Sequence, residues 1–439
     1  MALTGIDIFK QLPKTNCREC GQPTCLAFAM KLAQKQASLD QCPHVSEEAK
    51  AALAGAAAPP IKLVTIGVGE RKFAAGNETV LFRHEETFYH QTGLAIVVDA
   101  NQPEADVMAQ VKAIAELGFE RVGMLLRLDA VALKGEGDAF VAAAKAAAAV
   151  TDLPLILMNE APATMEKALA VCAEKRPLIY AATTANVDAM AALAKQHSCP
   201  LAVRGDGLAS LAELSEKAQA AGVTDLVLDS GARTQAALLA NETAIRRAAV
   251  RKKFRPLGFP TITFADDPLL AATGVMKYAG LVALDSAVAW QLLALVTTRQ
   301  NVYTDPQKPI QIEEGLYTIG TPDETSPVLV TTNFSLTYFT VEGDVEASRM
   351  PAWVVVVNTE GTSVLTAWAA EKFTAEIIAQ KVKACGVADK VKHRKLILPG
   401  HVAVLSGKLE DELAREWTIL VGPRESSGLP TFFRNSWAA

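Results

Sequence analysis

Eight short apolar runs, most separated by a helix-length alanine-rich segment, constrain this chain more than any other feature. They are LAIVVD from residue 94, RVGMLL from 121, PLILM from 154, PLIYA from 177, PLAV from 200, DLVLD ending at residue 229, PTITF from 260 and LVALD from 281. Runs of this length read as buried strands, and stretches such as DAFVAAAKAAAAV read as helices. Their count and period are those of a (β/α)8 (TIM) barrel. A doubly wound open sheet fits the same count, and strand counting does not separate the two. A further pair, IKLVTIG from 61 and ETVLFRH from 78, is expected to form a hairpin that closes the barrel bottom.

The barrel does not use the whole of the 439 residues. Residues 1–58 are expected to form a small domain and linker, ending in the alanine-rich helix SEEAKAALAGAAAPP with Ser46 as N-cap and Pro59 and Pro60 as its stop. The barrel then occupies 59–322. Residues 323–439 read as an α/β unit of Rossmann-like type, with strands PAWVVVVN, RKLILPG and WTILVGP alternating with helices around TAEIIAQKVKAC and LEDELARE. Its strands end in glycine-bearing loops, the usual ligand position in an open parallel sheet.

Charge and hydropathy exclude several function classes. Formal net charge is -5 with 21% charged residues and no basic block, so there is no electrostatic footprint for nucleic acid. No apolar run approaches the roughly 18 residues of a membrane span, and the N-terminus lacks a signal-type apolar region. A soluble, cytoplasmic protein is expected.

Four of seven cysteines crowd into NCRECGQPTCLAFAMKLAQKQASLDQCP. In a reducing compartment, clustered thiols are more often metal or redox ligands than disulfides. Cys17, Cys20, Cys25 and Cys42 give C-x2-C-x4-C-x16-C: three thiols on one loop and a fourth beyond a helix expected over Leu26 to about Gln36, with Thr24 at its start. Three loop ligands and one distant ligand suit a 4Fe-4S cubane, and the helix N-terminus stabilises thiolate charge. Structural zinc favours two C-x2-4-C knuckles, whereas the second half here is Cys42 alone. A redox dithiol would need a βαβ context near Cys17, which the sequence lacks. Cys172, Cys199 and Cys385 adjoin apolar runs and read as buried thiols.

The cysteine block, the barrel and the C-terminal blocks TTNFSLTYFTVEGD, SVLTAW, LILPG and VGPRESSG resemble, in the same order over essentially the whole chain, the large (gamma) subunits of corrinoid iron-sulfur proteins of the acetyl-CoA (Wood-Ljungdahl) pathway. The resemblance implies a methyl carrier in a methyltransferase system rather than a stand-alone enzyme. It implies a heterodimer with a barrel-shaped small subunit and a cobalamin-type corrinoid on the C-terminal domain. The cobalt would accept a methyl group from methyltetrahydrofolate through a separate methyltransferase and pass it to acetyl-CoA synthase/CO dehydrogenase. The cluster would restore Co(I) from Co(II), alongside a reductive activator. The alternative is a self-sufficient pterin-dependent methyltransferase that uses the barrel.

Residues follow from the blocks. The resemblance implies a base-off cofactor without a protein axial ligand, and Thr366 in SVLTAW falls where a threonine approaches the lower face. No D-x-H-x-x-G loop occurs, and only His393 and His401 lie in the last segment. Gly400, Gly422 and Gly428 would allow backbone close to the ring or its tail. Asn333, Ser335, Thr337 and Tyr338 are read as hydrogen-bonding edges on a half-buried strand NFSLTY. At the C-terminal strand ends of the barrel, Asp99, Asn159, Asp206 and Asp229 could hold a pterin or merely cap helices.

Overall fold

The computed structural model describes residues 5–33, 41–46, 49, 59–85, 88–304 and 309–437. Two compact units divide the chain: Met1–Leu117 with Arg127–Tyr303, and Gly118–Leu126 with Thr304–Ala439. Among the described residues no helix is long and apolar enough to cross a membrane.

The N-terminal residues form α1 (Gly5–Gln11) and α2 (Cys25–Ala33). The two helices pack so closely that a Cβ on Gly5 would lie 2.3 Å from Met30 Sδ. Thr24 caps α2 as expected, its Oγ1 accepting from Ala27 N at 3.1 Å. Ser46 likewise accepts from Ala49 N at 3.1 Å. The expected extension of α2 to Gln36, most of the alanine-rich helix and the alanines of the AAAPP linker lie outside the described residues.

Next comes a hairpin, β1 (Val64–Ile66) antiparallel to β2 (Phe73–Ala75). Strand β3 (Gly93–Asp99) and helix α3 (Glu104–Glu116) are followed by a two-stranded sheet, β4 (Gly118–Arg121) and β5 (Met124–Arg127). The chain continues through β6 (Ala130–Lys134), α4 (Gly137–Val150), β7 (Leu155–Met158), α5 (Pro162–Cys172), β8 (Leu178–Ala182), α6 (Val187–His197) and β9 (Leu201–Arg204). It completes the circuit with α7 (Leu208–Ala220), β10 (Leu226–Asp229), α8 (Gln235–Val250), β11 (Ile262–Ala265), α9 (Pro268–Met276), β12 (Leu281–Leu284) and α10 (Ala289–Tyr303).

Eight parallel strands lie in the order β10-β9-β8-β7-β6-β3-β12-β11. The ring is closed where Leu228 of β10 bridges Thr261 and its N–H donates to Pro260 O at 2.8 Å. The structure is thus the barrel and not the open sheet. Its interior holds Ala95, Ala132, Ile156, Ala202, Val227, Ile262 and Ala283, with Ile66 and Phe73 of the hairpin in the same cluster. The hairpin plugs the barrel, as the sequence suggests. Phe73 lies against Gly93, where a Cβ would come within 2.6 Å of its ring.

Two strand assignments need correction. RVGMLL is not a barrel strand: Val122 and Gly123 both take left-handed backbone, φ 52° and 66°, so the run reverses on itself in a two-residue turn. The missing barrel strand is β6, AVALK, whose small residues give a weak apolar signal. ETVLFRH carries no strand either; Glu78 turns inward to accept from Tyr89 N and His90 N at 2.9 and 3.1 Å. The second strand of the plug is FAA instead.

The second unit is a five-stranded sheet of β13 (Gly315–Ile319), β14 (Val328–Thr332), β15 (Ala352–Val357), β16 (Lys395–Leu398) and β17 (Thr418–Val421), in the order β13-β15-β14-β16-β17. Only β13 is antiparallel. Because β13 pairs with β15, the expected boundary at residue 322 falls too late: YTIG belongs to this sheet. Helices α11 (Ser335–Ser348), α12 (Val364–Ala369), α13 (Ala375–Ala384), α14 (Ser406–Glu412) and α15 (Leu429–Phe432) complete the unit. One face of the sheet packs Leu329, Val354 and Ile397 against Tyr338, Val345 and Leu429. The other packs Val330, Val355 and Leu398 against Ile378, Val382 and Leu409. NFSLTY is therefore not a strand. The strand stops at Thr332, and Ser335 opens a helix whose inward stripe takes Tyr338 and Val345.

Below the barrel core lies a buried polar group of Glu78, Arg246, Glu242 and Thr261. Glu242 is 2% exposed and accepts from Thr261 Oγ1 at 2.7 Å. Burial pushes its carboxyl up to about 8, outweighing the Thr261 hydrogen bond. The folded state then holds a proton that the unfolded state loses above its ordinary value of 4.5, so this group's stabilisation falls as pH rises from about 4.5 to about 8 and is flat above. We expect Glu242→Gln to flatten that part of the stability profile, measured by urea unfolding across pH 5 to 9; an unchanged slope would assign it to another group.

Candidate cofactor sites

The strand order of the second unit creates a gap by itself. From β14 the chain moves to β15 on one side, then crosses back to β16 on the other, so the connections diverge at the C-terminal end of β14. Open parallel sheets bind ligands at such a switch point. Here β14 and β16 share a single register pair, Leu329 with Ile397.

A cleft of about 390 Å³ opens at that point. Strand residues Leu329, Thr331, Ile397 and Leu398 line it, with Phe334, Leu336 and Thr337 from the start of α11. Ser363 to Leu365, His401 and Gly422 to Ser426 complete it. The lining is mainly apolar. Thr331 is 2% exposed and its Oγ1 is buried with no hydrogen-bond partner, an expensive arrangement unless a ligand completes it.

The sequence-selected residues divide in two. Thr337 and Gly422 line the cleft. Asn333 is a structural tie: its Oδ1 accepts from Thr359 N, Gly361 N and Thr359 Oγ1 at 2.9, 3.0 and 3.1 Å, and its Nδ2 donates to Gln311 Oε1 at 3.0 Å. Ser335 is buried at the start of α11, its N–H donating to Ile310 O. Tyr338 points into the core and donates to Glu342 Oε1 at 3.1 Å. Gly400 and Gly428 allow close approach of neighbouring loop: a Cβ on Gly400 would lie 2.5 Å from Gly422 O, and one on Gly428 2.8 Å from Pro423 Cβ. Thr366 is exposed on α12, 3.1 Å from Ser363 Oγ, next to the cleft-lining Leu365. His401 lines the cleft 3.4 Å from Glu425 Oε1. His393 is engaged elsewhere, 2.9 Å from Ser326 O and edge-on to Trp437.

The cysteine loop has its own logic. Cys25 and Cys42 are buried in a small core with Ile8, Leu12 and Phe28, and Cys20 packs against it. Cys17 is exposed. Lys14, Asn16, Arg18 and Gly21 all have left-handed backbone, φ 58°, 50°, 68° and 74°. Loops of alternating handedness turn their N–H groups inward and form concavities for anions. Asn16 N lies 3.4 Å from Cys25 Sγ, while Asn16 Oδ1 accepts from Cys25 N at 2.8 Å. Thiolate sulfur met by backbone amide is the environment an iron-sulfur cluster needs. The other thiols match expectation in Cys172 and Cys199, where burial pushes the pKa up to about 12 and about 11; Cys385 is half-buried.

In the barrel, Asp99 and Asn159 are loop ties. Asp99 Oδ1 accepts from Asn101 N and Nδ2, both at 2.9 Å, and Asn159 spans Gly135 O and Ala161 N, both at 2.8 Å. Asp206 and Asp229 sit at the mouth, but the sequence reading misses their neighbours. Inward side chains recur every second residue along a strand. Two positions beyond Ala132, Ala202, Val227 and Ala283 stand Lys134, Arg204, Asp229 and Asp285. That count was available in the sequence once the register was known.

A barrel with a switch-point cleft unit and a cysteine-bearing N-terminus defines the class as a multidomain α/β protein with two cofactor-type sites. Comparison with known proteins supplies the family. A profile described as the CO dehydrogenase/acetyl-CoA synthase delta subunit matches residues 63–433, and one described as a putative Fe-S cluster matches residues 12–44. The corrinoid/iron-sulfur protein large subunit of Moorella thermoacetica is 50% identical, covering 100% of both chains. The acetyl-CoA decarbonylase/synthase complex subunit gamma is 36% identical in Methanothermobacter thermautotrophicus, covering 98% of both chains. In Methanopyrus kandleri it is 38% identical, covering 98% of this chain and 97% of that one. The chain belongs to this family of corrinoid/iron-sulfur large subunits and acetyl-CoA decarbonylase/synthase gamma subunits. Among solved structures, the 7,8-dihydropteroate synthase of Vibrio fischeri is 13% identical with a TM-score of 0.37, covering 54% of this chain and 97% of that one, too distant to bear on function.

Because Asn333 Oδ1 accepts from Thr359 N and Gly361 N, Asn333→Ala would leave two buried N–H groups without that acceptor. We expect a loss of at least about 2 kcal/mol, read by denaturant unfolding; a loss under about 0.5 kcal/mol, within the range of surface substitutions, would mean that the loop has other support.

Proposed function

We propose that this chain is the methyl-carrying large subunit of a corrinoid iron-sulfur protein. It would bind a corrinoid at the switch-point cleft and a 4Fe-4S cluster at Cys17, Cys20, Cys25 and Cys42. When bound, the corrinoid supplies a cobalt that takes and gives up a methyl group, and the cluster supplies the low-potential electron that restores cobalt to its reactive state. The reading is carried by the presence of a four-thiol loop and an apolar switch-point cleft in one chain that is 50% identical, over its full length, to a corrinoid/iron-sulfur large subunit.

The residues fit both groups. A cleft of about 390 Å³ is too small for a whole corrinoid macrocycle but of a size for the nucleotide end of its tail. Leu329, Ile397 and Leu398 would sheathe an aromatic base. Leu336 and Leu365, both 47% exposed, lie at the rim where the ring would rest, with Thr366 beside them. A base-off cobalt without a protein ligand belongs to the same reading; His401, which lines the cleft, lies 3.4 Å from Glu425 Oε1. A cluster segment 1–58, a barrel and a corrinoid unit would give a carrier whose cofactors serve different partners.

The partners proposed are a small subunit in a heterodimer, a methyltetrahydrofolate-dependent methyltransferase, acetyl-CoA synthase/CO dehydrogenase and a reductive activator. A cytoplasmic location and the absence of nucleic-acid or membrane partners belong to the same reading. Of the barrel residues considered for a pterin, Asn159 ties loops and both oxygens of Asp229 are engaged.

Metal and sulfide analysis of the anaerobically purified two-subunit complex tests the proposal: iron, sulfide and cobalt are expected, and zinc without cobalt would refute it. A second test separates the two sites. In Cys20→Ala, methyl transfer from chemically pre-reduced cobalt should stay near the parent rate while reductive reactivation is lost; parallel loss of both would make the cluster structural.

A further inference from the structure

We propose that the mouth of the barrel is a second ligand site, independent of the cofactor cleft, which takes a small aromatic oxyanion, a carboxylate or a phosphate. Two cavities of about 870 and 390 Å³ open there, and Arg204 and Arg233 line both. The larger also has an apolar wall that includes Val97, Met158, Phe264 and Leu270. The smaller is lined by hydroxyls of Thr184 and Ser210 together with the two guanidiniums.

Arg233 is held from beneath. Asp229, 1% exposed, grips it with both oxygens at 3.1 and 2.7 Å. The same carboxylate accepts from Tyr180 Oη at 2.7 Å and Gly231 N at 2.8 Å, so it has no capacity left for a ligand. A buried ion pair stabilises a fold no better than apolar packing, and a barrel serving only as scaffold would close this layer with aliphatic residues. What the pair achieves is direction: it fixes Arg233, 42% exposed, with its guanidinium 4.7 Å above the Phe264 ring. Arg204, 36% exposed and 2.6 Å from Glu160, also meets the Tyr180 hydroxyl.

Guanidiniums are donors only, and their fork matches carboxylate and phosphate oxygens. Two of them on one wall, beside an apolar wall, call for a ligand whose anionic end meets the arginines and whose ring meets Val97, Met158 and Leu270. Besides the two arginines, Lys134 and five carboxylates, Glu136, Glu160, Asp206, Asp266 and Asp285, line these cavities; the carboxylates repel polyanions and restrict the class to small molecules with one anionic group, which competes with Glu160 for Arg204.

The test is calorimetric titration of the complete cofactor-loaded complex with benzoate, phenylphosphate and neutral benzamide. One of the two oxyanions should bind saturably, the tighter one naming the headgroup, and benzamide should bind at least about tenfold more weakly. Arg204→Gln should weaken the oxyanion by about tenfold. Ser210→Asp, which adds a carboxylate at a helix start where it is tolerated, should abolish binding without lowering Tm. The proposal fails if neither oxyanion saturates, if benzamide matches them, or if both variants bind like the parent. It also fails if the ligand shifts the corrinoid's visible spectrum, which would place it at the cofactor cleft. A complex without cobalt would end the reading of the previous section and leave this measurement intact.

Discussion

The reversal of winding at β14 is the constraint on which the cofactor cleft depends. A central strand whose two parallel neighbours are reached by crossovers on opposite faces cannot have both connections cover its end. The alternation of Leu329 and Val330 into opposite cores shows that helices occupy both faces. The space at the carboxyl end is therefore a product of chain order, and the side chains only decide what it holds. Here they line it mainly with apolar groups, with His401, Arg424 and Glu425 among the polar ones.

Asn333 converts that topological gap into a fixed shape. It stands one residue past the strand and satisfies the backbone of the Thr359–Gly361 turn as well as Gln311. Glu360 and Gly361 in that turn have left-handed backbone, φ 55° and 71°, which needs external hydrogen bonds to persist. The role is mechanical: one carboxamide ties the loops after β14 and β15 together.

Much of this was legible in the sequence. Apolar runs flanked by proline or glycine gave seven of the eight barrel strands, and the cysteine spacing pointed to a cluster because ligand geometry is written directly in spacing. The failures share a cause. RVGMLL and NFSLTY are apolar enough for strands, but a turn at Val122–Gly123 and a helix start at Ser335 are decided by backbone handedness and by partners distant in sequence. AVALK was overlooked because a strand buried on both sides needs no large side chains where its neighbours are bulky. Asn333 and Tyr338 were chosen as polar edges of a ligand site, whereas both satisfy the protein itself. Lys134, Arg204 and Asp285 were overlooked because a charged residue at a strand end is ordinary until the register shows that it faces inward.

At the N-terminus, the core and the proposed cluster site share residues. Two of the buried residues in this core, Cys25 and Cys42, are proposed cluster ligands, and a third, Cys20, packs on them. Segments below about 40 residues rarely bury enough apolar surface to hold a fold without metal or disulfide. Three non-glycine residues of the loop, Lys14, Asn16 and Arg18, also adopt left-handed backbone, at a cost of roughly 1–2 kcal/mol each. Their N–H groups recover that cost only against concentrated negative charge, which four thiolates around a cluster provide. On the proposed reading, folding of this segment and cluster assembly would be one equilibrium.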